Sequence, residues 1–408
     1  MKAAFKNDSR AWAGIALTFA AALTAGLALC PVAAGATLAE YISAENNISF
    51  MVVEADSGFI IAEHNADEVR APASMVKMMQ MLLVAEGVAE GRWTLDKELT
   101  ASARAAAEWG SQVYLQQGEV WRLEELMQAV AVRSANDGAV MVAEGLWGSV
   151  EAYLERMNER AAELGMENTE FFSVNGLPPT NDDRPHDRTT ARDMIVLARE
   201  CLKYPDIMEW VSTPSLNVSR RRADNRSNTN RLLSQLRGCD GLKTGYTRAA
   251  GYCVTATAER DGTRLIAVVM GFQNSNNRFG LASYLMEQGF QEMRRVLLLA
   301  ENEALAEETP VGNSKIAATR LQAVKDLWVN VHMDQVYDVQ LVTTAPERLQ
   351  APLTAGTIVG DVRVELDGKV LAQAPLMVAE DLEEAGWRWK ITHTVMRGLQ
   401  AVTSFGGE

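Results

Sequence analysis

The chain has 408 residues, of which 48% are hydrophobic, enough for two or three packed domains. A formal net charge of −14 argues against a nucleic-acid partner, whose phosphates reward clustered Lys and Arg. Four histidines and four cysteines, scattered and without a C-x-x-C pair, give no basis for a metal site, a disulfide framework or a Ser–His relay, and no cofactor is expected.

Residues 1–36 are predicted to be a secretory signal peptide. Lys2, Lys6 and Arg10 make a basic start, an apolar run follows, and Ala34-Gly35-Ala36 supplies an A-x-A cleavage site. Its removal takes the formal charge from −14 to −16. The competing reading is an uncleaved membrane anchor. Residues 50–54 and 59–63 flank Asp56-Ser57-Gly58 and predict a hairpin. Pro72-Ala73-Ser74 then opens a helix with Met75, Met78, Met79, Leu82 and Leu83 at helical spacing. More helices are predicted over 123–132, ending near Ser134, over 138–146, and over 150–164, closed by Gly165. Pro178, Pro179 and Pro185 mark a long loop. Strand signals return at 251–258 and 265–270, joined by Asp261-Gly262, and a helix from about 278 to 299 ends this domain (37–300). Strands at both sequence ends around a helical block predict an α+β domain, an antiparallel sheet flanked by helices.

Residues 301–314 read as a linker, and 315–384 as a small all-β domain with runs at 329–331, 339–342, 358–366 and 370–378 and a hairpin signal at Asp367-Gly368. Residues 385–408 predict a C-terminal amphipathic helix. Trp387, Ile391, Val395, Leu399, Val402 and Phe405 form one stripe, opposite Lys390, His393 and Arg397. A basic face on an acidic protein fits a helix lying in a membrane interface; a helix docked on its own β domain would show a similar stripe. Together these predict an exported protein, expected in the periplasm and held peripherally on the outer face of the inner membrane.

Three short motifs carry chemistry: Ser74-Met75-Val76-Lys77, Ser134-Ala135-Asn136 and Lys243-Thr244-Gly245. Ser74 is the only serine with a lysine three residues on. One helical turn lets the two side chains meet, and burial with nearby cations would leave Lys77 partly neutral and able to take the Ser74 proton. Ser134 can relay a proton to a leaving amine, and Asn136 can bond a substrate amide; both would otherwise be plain helix caps. Gly245 allows close backbone approach at a strand edge, where an extended peptide could add. Lys243, Thr244 and Thr247 suit a terminal carboxylate. The backbone N–H groups of Ser74 and Tyr246 suit an oxyanion. Arg278 would add charge near the carboxylate, or be a solvated arginine. Cys239 and Cys253 flank the K-T-G segment and are read as buried free thiols rather than a bonded pair.

With these motifs the chain resembles the D-alanyl-D-alanine carboxypeptidases among the low-molecular-mass penicillin-binding proteins. The likeness extends to Pro72-Ala73-Ser74 with Lys77-Met78-Met79, Leu164-Gly165-Met166 with Asn168-Thr169 and Gly176-Leu177, Thr190-Ala191-Arg192-Asp193-Met194, and Gly241-Leu242 with Ala250-Gly251-Tyr252. It implies a penicillin-binding/β-lactamase-like transpeptidase fold. It further implies removal of the terminal D-alanine from peptidoglycan pentapeptides through an acyl-serine, with β-lactams acylating the same residue. This chain differs in having Ser-Ala-Asn for Ser-Gly-Asn, Met75-Val76 for smaller residues, and Tyr246 where some members carry histidine. A class A β-lactamase shares the three motifs, but no E-x-x-L-N lies between Ser134 and Lys243. A DD-endopeptidase would carry the same motifs, as would a wall-binding morphology factor with a weak site.

Overall fold

The computed structural model describes residues 37–45, 47–178, 185–217 and 224–389. The expected signal peptide, most of the long loop after Pro178 and all but the first turn of the expected C-terminal helix lie outside these residues. Helix Leu38–Ala44 belongs to a separate N-terminal unit; the chain from Glu45 onward forms the second. Among the described residues no helix is long and apolar enough to cross a membrane.

A five-stranded antiparallel sheet runs in the order Ile60–His64, Ser49–Glu54, Thr263–Phe272, Gly251–Arg260, Cys239–Thr247. Thr263–Phe272 reads as an almost unbroken apolar run because the central strand is covered on both faces. Alternate residues divide between two cores. Ile266, Val268 and Met270 join the core of the helical block, whereas Leu265 faces Gly289 of helix Ser275–Glu292. Helix Lys77–Ala89 is buried from Lys77 to Gly87, as a helix apolar all round must be. The predicted hairpin, the helices Asn136–Trp147 and Val150–Glu163, and the turn at Asp261-Gly262 all form.

Two expectations are corrected. The last helix of the catalytic domain stops at Glu292, and Met293–Leu299 is a strand paired with Leu327–His332. A short Val/Leu run satisfies either periodicity, and an available strand partner decides between them. The expected linker is also ordered: Ala304–Gly312 is a strand beside Ala318–Ala323. Its Glu-rich composition is that of a strand largely facing solvent. It lies one place from the margin of a six-stranded sheet ordered Gln340–Thr344, Ile358–Leu366, Lys369–Val378, Ala318–Ala323, Ala304–Gly312, Leu349–Gln350. Leu321, Val329, Val362, Val364, Leu376 and Val378 are part of this second core.

The two domains are joined by polar contacts. Asn330 Nδ2 donates to Glu54 Oε1 and to the Gly262 carbonyl, both at 3.2 Å, and the Thr263 hydroxyl donates to Asn330 Oδ1 at 3.0 Å. Lys369 Nζ donates to the Ser57 carbonyl.

Candidate active site

Ser74 sits in a tight turn, Ala73–Val76, that runs straight into helix Lys77–Ala89. Ala73 adopts φ 48°, a left-handed conformation costly for a residue with a side chain. The turn is held by two glycines from elsewhere. A Cβ on Gly176, itself at φ 80°, would lie 2.1 Å from the Ala73 carbonyl oxygen and 2.7 Å from Ser74 N. A Cβ on Gly245 would lie 2.6 Å from the Pro72 carbonyl oxygen and 3.2 Å from Ser74 N. The close approach that Gly245 allows is therefore to the backbone of the Ser74 turn, which brings the K-T-G strand against Ser74.

Lys77 Nζ lies 3.0 Å from Ser74 Oγ and donates to Asn136 Oδ1 at 2.8 Å and to the Asn175 carbonyl at 2.6 Å. The Ser74 hydroxyl also faces that carbonyl, at 3.3 Å. Lys77 is 0% exposed, and burial, followed by repulsion from Lys243, holds its amine well below the ordinary lysine value. Ser134 ends a π-helical turn, Ala129–Arg133, in the left-handed region at φ 59°. Its buried hydroxyl has no hydrogen-bond partner among the described residues. Asn136 opens the next helix, and its Nδ2 donates to the Trp109 carbonyl at 2.6 Å.

Lys243 is 1% exposed, its Nζ donating to the Thr244 carbonyl at 3.1 Å. Burial first, then the charges of Arg278 and Arg133, lowers its amine to about 7. The Thr244 hydroxyl donates to Thr229 Oγ1 at 2.8 Å. Tyr246 is exposed and stacks on Tyr252 with ring centroids 4.1 Å apart. Thr247 Oγ1 accepts from Ala250 N at 3.0 Å and closes the turn into the next strand. Arg278, expected near the substrate carboxylate or in solvent, is only 5% exposed. Its guanidinium donates to the carbonyls of Gly245 (3.2 Å) and Cys253 (2.7 Å) and to the Ser275 hydroxyl (3.2 Å). It braces the K-T-G strand, and burial lowers it to about 10. Cys201, Cys239 and Cys253 are free; Cys253 stands opposite Gly245 and Cys239 opposite Ala258.

Sequence reasoning missed the Asn175 carbonyl, because a backbone acceptor has no residue-type signature. Its support was equally hidden. Asp187, buried, accepts from Phe172 N, Ser173 N and the Ser173 hydroxyl at 2.6–2.8 Å, and Ser173 Oγ accepts from Gly176 N at 2.8 Å. Asp137 similarly accepts from Val113 N and Leu115 N, fixing the loop that leads from Trp109. Burial pushes both carboxyls up against the pull of these donors.

Comparison with known proteins identifies the family. Residues 294–384 match the C-terminal domain of penicillin-binding protein 5. The D-alanyl-D-alanine carboxypeptidase DacF of Bacillus subtilis (strain 168) is 33% identical over 344 residues, 83% of this chain and 86% of that protein. DacC of Escherichia coli (strain K12) is 30% identical, covering 85% and 87%. The crystal structure of penicillin-binding protein 5 from Haemophilus influenzae superposes with TM-score 0.63 at 28% identity, over 82% of this chain and 97% of that one. Penicillin-binding protein D2 of Listeria monocytogenes, in its ampicillin-bound form, gives 0.53 at 33% identity over 59% and 96%. With residues 36–274 matching the peptidase family S11, the chain belongs to the D-alanyl-D-alanine carboxypeptidases.

Proposed function

We propose that Ser74 is the nucleophile of a serine D-Ala-D-Ala carboxypeptidase acting on peptidoglycan pentapeptides. The observation that carries the assignment is the buried amine of Lys77, held 3.0 Å from Ser74 Oγ. In its neutral form Lys77 takes the hydroxyl proton as Ser74 attacks the carbonyl between the two D-alanines. The backbone N–H groups of Ser74 and Tyr246 receive the developing oxyanion. Ser134, whose hydroxyl has no partner among the described residues, passes the proton to the nitrogen of the departing D-alanine. Asn136 orients Lys77 and the substrate amide. Lys243 in its charged form, with Thr244 beside it, holds the terminal carboxylate. Water then hydrolyses the acyl-serine. A β-lactam presents a similar carboxylate and a strained amide, and acylates the same oxygen.

A fluorescent penicillin should label the purified protein, and D-alanine should be released from a D-Ala-D-Ala-terminated pentapeptide. Ser74→Ala should abolish both. Labelling that survives the substitution rejects the nucleophile; rapid β-lactam hydrolysis without D-alanine release would favour a lactamase.

The amphipathic stripe over 385–408 and the leader-like first 36 residues support export and peripheral attachment to the outer face of the inner membrane. Deleting 387–408 should move the protein to the soluble fraction while leaving activity on a soluble peptide nearly unchanged. A truncated form that still sediments with membranes refutes the anchor.

A further inference from the structure

Away from Ser74, a cleft of about 510 Å³ opens where the catalytic and β domains meet. Its walls come from three places: the stretch before strand Cys239–Thr247, the turn at Asp261-Gly262 with the end of helix Ser275–Glu292, and the paired strands Met293–Leu299 and Leu327–His332. Four arginines line it, Arg237, Arg260, Arg294 and Arg295, in a chain whose acids outnumber its Lys and Arg by 53 to 39. Arg260 is neutralised by a bidentate pair with Glu287 (2.6 and 2.7 Å). Among the described residues no carboxylate oxygen lies within 4.0 Å of the other three guanidinium groups.

Three of these cations are also held in place. Arg295 lies over the Trp328 ring at 4.6 Å and across Gly262, where a Cβ would fall 1.9 Å from its Nη1. Arg294 donates to the carbonyls of Gln291 and Met293 at 2.6 and 2.8 Å. Arg260 lies over Phe290 at 4.2 Å. Arg237 makes no side-chain hydrogen bond among the described residues, and its charge acts on Glu287 across the cleft. Asp261 and Glu287 also line the cleft, so the four arginines leave it with an excess of positive charge, an arrangement that an arriving anion relieves. Planar guanidinium forks match the oxygens of phosphate, and several forks around one cleft suit a group with more oxygens than a single carboxylate has.

We infer that this junction is a binding site for a phosphate-bearing ligand, held by Arg237, Arg294 and Arg295 with Trp328 as an apolar wall. It is separate from the peptidase site and does not depend on the mechanism assigned there.

Titration calorimetry of the full chain with inorganic pyrophosphate at low ionic strength tests this, with acetate as the comparison anion. Saturable binding of pyrophosphate, but not acetate, is expected. Arg237→Glu should weaken it by about tenfold or more, and Arg237→Glu with Arg295→Gln should remove it, with D-alanine release from a soluble pentapeptide unchanged. Among the described residues the Arg237 side chain makes no hydrogen bond, so the single variant keeps the test valid if the double one unfolds. Flotation with phosphatidylglycerol and phosphatidylcholine vesicles distinguishes the source. A smaller vesicle-bound fraction for the variant on phosphatidylglycerol alone assigns a lipid head group; equal fractions with lost pyrophosphate binding assign a soluble phosphate compound. Absence of saturable pyrophosphate binding, equal affinity in the variants, or preference for a poly-glutamate peptide, which would point to a protein partner, overturns the proposal.

Discussion

Lys77 and Lys243 are both fully buried amines, yet the proposed chemistry needs one neutral and the other charged. Burial and the charges around them disfavour both ammonium forms. A substrate carboxylate beside Lys243 would restore its charge. For the free enzyme, the limb of kcat/KM governed by Lys77 should therefore rise with pH, and the limb governed by Lys243 should fall as pH passes about 7. The same burial has a stability consequence. The folded value of Lys243, about 7, lies below its unfolded value of 10.5, so the unfolded chain binds more protons between them. Stability should accordingly increase as pH rises through that window. Lys243→Met should melt at a higher temperature at pH 7 and lose activity, and its advantage in Tm should shrink by pH 9. A wild-type advantage at pH 7 would contradict this account.

At the scale of elements, the position of Ser74 depends on turns that helix propensity does not foresee. The predicted helix ending near Ser134 ends there through a π turn, and the extra residue leaves Ser134 in the left-handed region. The Ser74 turn is clamped between Gly176 and Gly245. Gly176→Ala introduces a Cβ with no space and a backbone conformation that alanine resists. It should lower the acylation rate by about a hundredfold or more and destabilise the fold by roughly 1–3 kcal/mol. Stopped-flow acylation by a penicillin and thermal unfolding check the two effects separately. Wild-type acylation in this variant would mean that the turn is not held from Gly176.

Over the whole molecule, polar groups bridge the catalytic and β domains among the described residues. Asn330 satisfies Glu54, whose carboxyl is buried and pushed up by desolvation. Asn330→Ala removes that donor and its bonds to Gly262 and Thr263, and should cost about 1–3 kcal/mol. Activity on a soluble pentapeptide should be little changed, because none of these groups touches Ser74. Calorimetric unfolding measures the loss; unchanged stability would mean that other contacts hold the domains together.

The three motifs, most of the elements before residue 292 and the presence of a β-rich C-terminal region were legible along the chain, because each depends on local spacing. S-x-x-K is one helical turn, alternation marks a strand, and Asp-Gly marks a hairpin. Some features were decided only when distant segments met. Met293–Leu299 became a strand because Leu327–His332 lies beside it, and Ala304–Gly312 because Ala318–Ala323 does. Arg278 turned inward to carbonyls that no spacing rule connects to it. The carbonyl of Asn175, 98 residues from Lys77, entered the site through a backbone atom that every residue carries. Side-chain identity and period are written in the order of residues; burial, strand partners and backbone acceptors exist only once the chain has closed on itself.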